Sequence, residues 1–192
     1  MRITGGLHRS RTLEAPRGDA TRPTSDRVRE ALFAILGGRL DGARVLDLYA
    51  GTGALAFEAL SRGAATALLV ESARPPLQAI QTNARALGLE RLIKVVPTTV
   101  ERAASLVERA SPFDVVFADP PYSAVTDGDA VRAIAKLLEG PVALLSDDAC
   151  IVLEHSKADT APELPKVSLT ETRRYGDTCL SFYRATTPFP QR

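Results

Sequence analysis

The sequence predicts an α/β fold of the doubly wound type, with a mainly parallel seven-stranded sheet and helices on both faces. Three observations lead to this prediction. Short apolar segments of strand length alternate with helical segments between about residues 43 and 156. A glycine-rich turn at residues 51–53 connects the first of these strands to a helix, as in Rossmann-like domains. Residues 166–185 end the alternation with two β-rich runs, which predict an antiparallel hairpin at one edge of the sheet.

The composition is that of one globular domain. The 192 residues suffice for a sizeable core, and 45% hydrophobic and 24% charged residues are typical of such a domain. A net charge of +1 provides no global field for a polyanion, so any basic surface must be local. Cys150 and Cys179 lack CxxC spacing, which argues against a disulfide framework or a metal site. With no signal peptide pattern and no apolar membrane span, we expect a cytoplasmic protein, and we expect it to be a monomer.

Residues 1–22 form a predicted basic arm in front of the domain. The arm contains five arginines against two acidic residues, and its segments MRITGG and SRTLEA predict a short hairpin. The domain is predicted over residues 23–186 and a frayed tail over residues 187–192. The first helix is predicted in TSDRVREALFAILGG, with Thr24 or Ser25 as N-cap and Gly37 as the stop.

The alternating region follows a turn at Asp41 and Gly42. Its five predicted strands are ARVLDLYA, TALLVE, LIKVVP, FDVVFA and CIVLEHS. The helices predicted between them are GTGALAFEALSRG, RPPLQAIQTNARALG, a segment around residues 100–110, and DGDAVRAIAKLLEG. Glycines end the first two of these helices, and two prolines occupy the first turn of the second. The closing hairpin turns around residues 175–177.

The glycine turn (residues 51–53) indicates a nucleotide-like ligand, and two cofactors fit it. GTGALA satisfies the dinucleotide pattern G-x-G-x-x-A, and Glu71 ends the next strand, where an acid would hold a ribose. A nicotinamide cofactor is therefore one alternative, and a helix-capping turn without a ligand is another. Asp47 in the preceding strand argues against the nicotinamide, because a carboxylate repels a pyrophosphate and attracts a cation. S-adenosylmethionine has no phosphates and carries a sulfonium and an ammonium group, so it suits Asp47 better.

The DPPY turn (residues 119–122) stands at the carboxyl end of the fourth predicted strand, where doubly wound sheets bind ligands. Methyl transfer to an exocyclic amine explains its residues. Such an amine is a poor nucleophile because its lone pair is delocalised into the ring. The Asp119 side chain and the Pro120 carbonyl can accept hydrogen bonds from the two N–H groups of this amine and so orient its lone pair. Tyr122 offers a face on which the base can stack. The alternative is a strand-terminating turn with a surface tyrosine.

Both turns resemble methyltransferase motifs. D-x-x-x-G-x-G, with an acid ending the next strand, resembles the first two motifs of class I methyltransferases. DPPY resembles the [D/N/S]-P-P-[Y/F/W] motif of enzymes that methylate amino groups of nucleobases and glutamine. With MRITGG, RPTSDRVREALF, EALSRGA, LEHS and RRYGDTCLSFY, they make the chain similar to bacterial 16S ribosomal RNA guanine-N2 methyltransferases of the RsmD type. This resemblance runs from Met1 to about Arg184.

The resemblance implies S-adenosylmethionine as methyl donor and no metal. The implied acceptor is a guanine of 16S rRNA, in the small ribosomal subunit or its assembly intermediate. The donor-binding residues it implies are Asp47, Tyr49, Gly51, Gly53 and Glu71, and the catalytic residues are Asp119, Pro120 and Tyr122. Thr98 and Thr99 stand where many class I enzymes place an acid for the adenine amine, so a hydroxyl or backbone contact is expected there. Arg9, Arg11 and Arg22 belong either to ordinary solvated surface or to an RNA-binding surface that also includes Tyr122.

Two other functions stay open at this point. DPPY alone does not distinguish guanine N2 from adenine N6, so a DNA adenine-N6 methyltransferase is one alternative, although no separate target-recognition segment is visible. A non-catalytic, donor-binding assembly factor of ribosomal particles is the other. Glu154 and His155 end the fifth predicted strand, where we expect them to organise local hydrogen bonds rather than to perform chemistry.

Overall fold

The computed structural model of the chain describes residues 1–16 and 25–186. Arg22 and Thr24, the predicted tail and the last part of the predicted arm therefore lie outside the described residues. The element order alternates strands and helices up to the fifth strand and then ends in two further strands. None of the described helices combines the length and the apolar character that crossing a membrane requires.

Seven strands form a single sheet in the order β3-β2-β1-β4-β5-β7-β6. Their bounds are Arg44–Asp47 (β1), Thr66–Val70 (β2), Ile93–Val96 (β3), Phe113–Ala118 (β4), Leu145–Ser156 (β5), Val167–Tyr175 (β6) and Thr178–Ala185 (β7). The first five strands pair in parallel, and β7 runs antiparallel between β5 and β6. The predicted doubly wound, mainly parallel, seven-stranded sheet with an antiparallel hairpin at its edge is confirmed. The chain order reverses between β1 and β4, which is the switch point where such sheets bind ligands.

Helices cover both faces of this sheet. Their bounds are Asp26–Leu36 (α1), Ala54–Ser61 (α2), Arg74–Leu87 (α3), Ala104–Glu108 (α4), Tyr122–Thr126 (α5) and Asp129–Leu138 (α6). Apolar residues of α1, α2 and α3 pack with one set of strand residues in one core cluster, and those of α4 and α6 pack with the alternate set in a second cluster. Alternate side chains of each buried strand therefore serve separate cores, as the period of a β-strand requires.

Several element boundaries differ from the sequence predictions. Ser25 is the N-cap of α1, and its side chain accepts a hydrogen bond from the Val28 N–H. The helix predicted around residues 100–110 is split into a 3-10 turn, Val100–Arg102, and the short helix α4. Strand β5 begins at Leu145 rather than Cys150, because a register irregularity lets its first part pair with the start of β4. A short helix that begins at Tyr122 itself was not predicted.

The N-terminal arm, of which residues 1–16 are described, packs on the α1–α3 face. Its two halves pair antiparallel, with hydrogen bonds from the Ile3 N–H to the Arg11 carbonyl and from the Leu13 N–H to the Met1 carbonyl. Both Ile3 and Leu13 are buried in the core cluster of that face. The fully buried Glu58 of α2 accepts hydrogen bonds from the backbone N–H groups of Thr4 and Gly5, which fixes this pairing to the domain.

Candidate active site

The residues predicted for donor binding and catalysis lie at the carboxyl edge of the sheet, where β1 and β4 end side by side. Asp47 is the register partner of Phe117, and the Leu48 N–H donates to the Phe117 carbonyl over 2.9 Å. The glycine turn leaves β1 just beyond this point, and the DPPY turn leaves β4 at the same level. The pairing of two neighbouring parallel strands therefore places both turns next to each other.

The two glycines of the glycine turn serve different needs. Both have positive φ, 52° at Gly51 and 79° at Gly53, which L side chains rarely adopt. A Cβ at Gly53 would stand 2.6 Å from the Phe57 ring and 3.2 Å from Leu69, so the core side of the turn has no space for a side chain. A Cβ at Gly51 would meet no atom within 4 Å. Gly51 therefore faces open space in which a ligand can approach the backbone.

Glu71 joins the end of β2 to the glycine turn. One carboxylate oxygen accepts a hydrogen bond from the Gly51 N–H over 2.9 Å. The other accepts from the N–H groups of Ser72 and Ala73 over 2.8 and 2.7 Å. Two residues that the sequence assigned to the donor site are thus in direct contact.

Asp47 is a buried carboxylate whose two oxygens both lack a hydrogen-bond partner among the described residues. Burial raises its pKa from 3.8 to about 7, and the nearby Glu71 carboxylate acts in the same direction. The backbone N–H groups of Ala56 and Tyr49 oppose this rise, although neither makes a hydrogen bond of good geometry with the carboxylate. An orphaned carboxylate of this kind is suited to a positively charged ligand group.

Three further predicted residues lie at the same edge. The Tyr49 side chain packs on the α4–α6 side, its hydroxyl has no partner among the described residues, and burial raises its pKa. Thr98 and Thr99 directly follow β3, and the Thr98 N–H donates to the Val96 carbonyl. They lie at the same edge as the glycine turn, since β3 pairs in parallel with β2 and β2 with β1.

The DPPY turn carries its acid and its aromatic ring on a short rigid segment. Asp119 directly follows β4, Pro120 is buried, and Pro121 caps the helix α5, in which Tyr122 is the first residue. The hydroxyl of Tyr122 shares a hydrogen bond of 2.8 Å with the Thr178 hydroxyl, at the start of β7. The C-terminal hairpin therefore orients the aromatic ring of the DPPY turn.

Two residues of this site were missed by the sequence predictions. Thr178 gives no local signal, because its contact with Tyr122 depends on the insertion of β7 beside β5. Asn83 of α3 hydrogen-bonds the Thr52 carbonyl inside the glycine turn. Asn83 is recognisable in the sequence as a polar residue at an apolar position of a helix. It lies three residues after Ile80 and four before Leu87, on the face that an amphipathic helix buries.

Arg9 and Arg11 belong to the part of the arm that contacts the ends of α2 and α3, not to the two turns at the carboxyl edge. The N–H groups of residues 7 and 8 donate to Ser61, at the end of α2. Two residues after Ser61, the Gly63 carbonyl accepts from the Gly42 N–H just before β1, so this end of α2 lies where β1 begins. The Arg11 guanidinium donates to the carbonyl of Ala86, near the end of α3 and hence near the start of β3. Both arginines are exposed, and the contacts of Arg11 and of the residues before Arg9 lie towards the amino edge of the sheet.

His155 has a structural environment. One ring nitrogen contacts the Ser156 carbonyl over 2.9 Å, and the other shares a hydrogen bond of 2.8 Å with the Ser181 hydroxyl. The Ser181 hydroxyl in turn contacts that of Thr172. These contacts run across β5, β7 and β6, away from the glycine turn. They agree with the expected role of His155 in local hydrogen bonding.

The residues at the carboxyl edge fit the predicted donor. An orphaned carboxylate at Asp47, open space at Gly51 and a second carboxylate at Glu71 suit a ligand with cationic groups and ribose hydroxyls. Within residues 1–16 and 25–186, no group of three or more His, Cys, Asp or Glu side chains is arranged to hold a metal ion.

Comparisons with known proteins assign the family. The model of the family described as "Conserved hypothetical protein 95" matches residues 1–184. The chain belongs to this family. Ribosomal RNA small subunit methyltransferase D of Escherichia coli K12 is 36% identical over 167 residues, which cover 86% of this chain and 79% of that protein. The predicted resemblance is therefore confirmed.

Two further matches extend over nearly the whole chain. The Bacillus subtilis protein YlbH, named as a candidate rRNA methyltransferase, is 34% identical over 186 residues, which cover 96% of this chain and 98% of that one. The solved structure of Escherichia coli YhhF, described as a candidate methyltransferase, superposes with a TM-score of 0.78 at 35% identity. It covers 96% of this chain and 97% of the other.

The raised pKa of Asp47 predicts a pH-dependent cost in stability. Between pH 4 and 7 the unfolded chain releases this proton while the folded protein retains it, so stability falls as pH rises and stays low above pH 7. Asp47→Asn removes this cost, which is on the order of a few kcal/mol. Thermal unfolding without ligand should therefore show the variant stabilised most at pH 8 and least near pH 4. An equal effect at both pH values would contradict the raised pKa.

Proposed function

We propose that the protein is an S-adenosylmethionine-dependent methyltransferase that methylates the exocyclic N2 amine of a guanine in 16S rRNA. One observation carries this proposal: the DPPY turn and the glycine turn leave the paired strands β4 and β1 at the same level. An acceptor amine and a methyl donor held at these turns would be neighbours. The Escherichia coli relative supports the substrate class, since it is named for the methylation of small subunit ribosomal RNA. We propose the small subunit or its assembly intermediate as partner, and a cytoplasmic monomer as the active form.

Donor binding is proposed for the residues around the glycine turn. Asp47 would attract the cationic part of the donor, Glu71 would accept hydrogen bonds from its ribose, and Gly51 would let it approach the backbone. Tyr49, which follows β1, and Thr98 and Thr99, which follow β3, would contact its adenine end. Gly53 keeps the turn against Phe57 and Leu69. When bound, the donor supplies a methyl group on a sulfonium that is already a good leaving group.

The DPPY turn is proposed to hold the acceptor. The Asp119 side chain and the Pro120 carbonyl accept hydrogen bonds from the two N–H groups of the amine. These two bonds orient the nitrogen lone pair towards the methyl group. The interaction with Asp119 strengthens as the amine becomes tetrahedral and positively charged, so it favours the transition state over the ground state. Tyr122 stacks on the base, in an orientation fixed by Thr178.

Asp119→Ala is expected to lower the single-turnover rate of methyl transfer by about 10²–10³, because it removes one preorganised electrostatic partner. The substrate is small subunits from cells that lack this gene, and mass mapping locates the methylated nucleotide. Asp127→Ala, an exposed carboxylate at the end of α5, is the matched control and should react normally. Donor binding, measured in parallel, reports folding.

The outcomes of this experiment separate the rival functions. Methylation of adenine, or of DNA alone, would contradict the guanine N2 assignment. Donor binding without methyl transfer to any RNA would indicate a non-catalytic assembly factor. A normal rate for Asp119→Ala would mean that the DPPY turn is only structural.

The hydrogen bond between Tyr122 and Thr178 predicts that Thr178→Val and Tyr122→Phe have the same modest effect on the RNA concentration needed for half-maximal rate. Each removes one hydroxyl of the pair, so the double variant should be no worse than either single one. Tyr122→Ala also removes stacking worth about 1–3 kcal/mol and should be clearly worse. Thr178→Ser retains the hydroxyl and should behave like the wild type. Additive losses in the double variant would show that the two hydroxyls act independently.

We propose that Arg9 and Arg11 bind RNA phosphates distant from the target base, with Arg22 as a further contact in the undescribed part of the arm. Arg9→Ala with Arg11→Ala should weaken RNA binding and flatten its dependence on salt, because fewer counterions are released. The rate at saturating RNA should stay unchanged, since the contacts of this part of the arm lie towards the amino edge of the sheet. Arg109→Ala on the opposite face is the control. Unaltered affinity and salt slope in the double variant would restrict the arm to a structural role.

A further inference from the structure

Asn83 joins the N-terminal arm to the glycine turn through one buried side chain. Its amide oxygen accepts a hydrogen bond from the Glu14 N–H over 2.7 Å. Its amide nitrogen donates to the Glu14 carbonyl over 3.0 Å and to the Thr52 carbonyl over 3.2 Å. The side chain is 1% exposed, so water does not replace these bonds.

The bond to Thr52 adds a side-chain constraint to a peptide unit whose N–H, that of Gly53, donates to the Ala50 carbonyl over 2.7 Å. Thr52 lies between Gly51 and Gly53, and glycines on both sides give this backbone an unusually wide choice of conformations. Glu71 fixes the turn from one side through the Gly51 N–H, and Asn83 fixes it from the other through the Thr52 carbonyl. Besides the backbone bond of the Gly53 N–H, two side chains therefore hold the turn, one from the residue directly after β2 and one from α3.

We propose that Asn83 is a positioning residue that sets the glycine turn for the donor and couples donor binding to docking of the N-terminal arm. This inference rests on the proposed function for the identity of the donor. Coupling of this kind is reciprocal: a donor that holds the turn strengthens the arm contact at Glu14, and that contact, rather than the arm contacts at Ser61, strengthens donor binding. Donor binding would thereby prepare the arm, which carries Arg9 and Arg11, for RNA.

The alternative is that Asn83 only fills space in the core. Two substitutions separate these roles. Asn83→Asp has nearly the same shape but loses both N–H donations and places a carboxylate oxygen against the carbonyls of Glu14 and Thr52. Asn83→Ala loses both shape and hydrogen bonds. A packing role is retained in the first variant and lost in the second, whereas a positioning role is lost in both.

Ser61 provides a matched control within the same arm. Its hydroxyl accepts from the His8 N–H over 2.8 Å and donates to the Gly5 carbonyl over 2.7 Å, so both bonds lead to the arm and not to the glycine turn. Ser61→Ala therefore removes two hydrogen bonds between arm and domain without touching the donor site. Any loss of donor affinity caused by general loosening of the arm should appear in this variant as well.

The first measurement is calorimetric binding of S-adenosylhomocysteine to the full chain. Asn83→Asp and Asn83→Ala should each bind about tenfold more weakly than the wild type, because the turn loses its preorganisation. Ser61→Ala should bind within about twofold of the wild type. Wild-type affinity in Asn83→Asp, or an equal loss in Ser61→Ala, would overturn the proposal.

The second measurement is amide hydrogen exchange at Glu14, with and without S-adenosylhomocysteine. Saturating ligand should slow exchange at Glu14 about tenfold in the wild type and in Ser61→Ala, and it should have no such effect in Asn83→Asp. The wild-type comparison needs no substitution, so it tests the coupling even where an Asn83 variant fails to fold. Unchanged exchange in a ligand-bound wild type would overturn the coupling. A wild type that does not bind the ligand would contradict the proposed function instead.

Discussion

The pairing of β1 with β4 is the constraint on which the candidate site depends. The two strands are distant in sequence, yet the register Asp47 to Phe117 ends them at the same level. The proposed roles of both turns follow from what leaves these carboxyl ends: a glycine turn after β1 and an acid followed by two prolines after β4. A shift of this register by one residue would reverse the faces of β1, bring Asp47 to the other core and separate the two turns.

The charge of the carboxyl edge is an argument between the two cofactors that the glycine pattern allowed. In a dinucleotide site the N–H groups of such a turn are available to a pyrophosphate. Here the Gly51 N–H donates to the Glu71 carboxylate, and the buried Asp47, close enough to Glu71 to act on it electrostatically, adds a second carboxylate. A pyrophosphate would have to displace one carboxylate in the presence of another. In the sequence, Asp47 alone argued against a nicotinamide cofactor. The hydrogen bond between Glu71 and the Gly51 N–H adds a second argument against it.

The sequence predicted the fold and both turns well because their signals are local. Glycine, proline and a carboxylate at a strand end have backbone and chemical consequences within a few residues, and the strand and helix periods need only short windows. The strand order was not accessible in this way, and neither were the contacts that depend on it. Thr178 reaches Tyr122 only because β7 inserts between β5 and β6. The same limit applies to Arg9 and Arg11, because the contacts of this part of the arm, towards the amino edge, follow from docking of the arm on α2 and α3.

Asp47 shows how function and stability oppose each other at this site. A carboxylate with a pKa near 7 in a buried position, without a hydrogen-bond partner among the described residues, lowers the stability of the ligand-free fold. An asparagine or an apolar residue of similar size would fit the same end of β1 without that cost. The fold therefore gains nothing from the charge itself. A cationic ligand would stabilise the ionised form of Asp47 and so remove this cost in stability when it binds. The unfavourable burial of Asp47 is therefore an argument that the site is built for a cation.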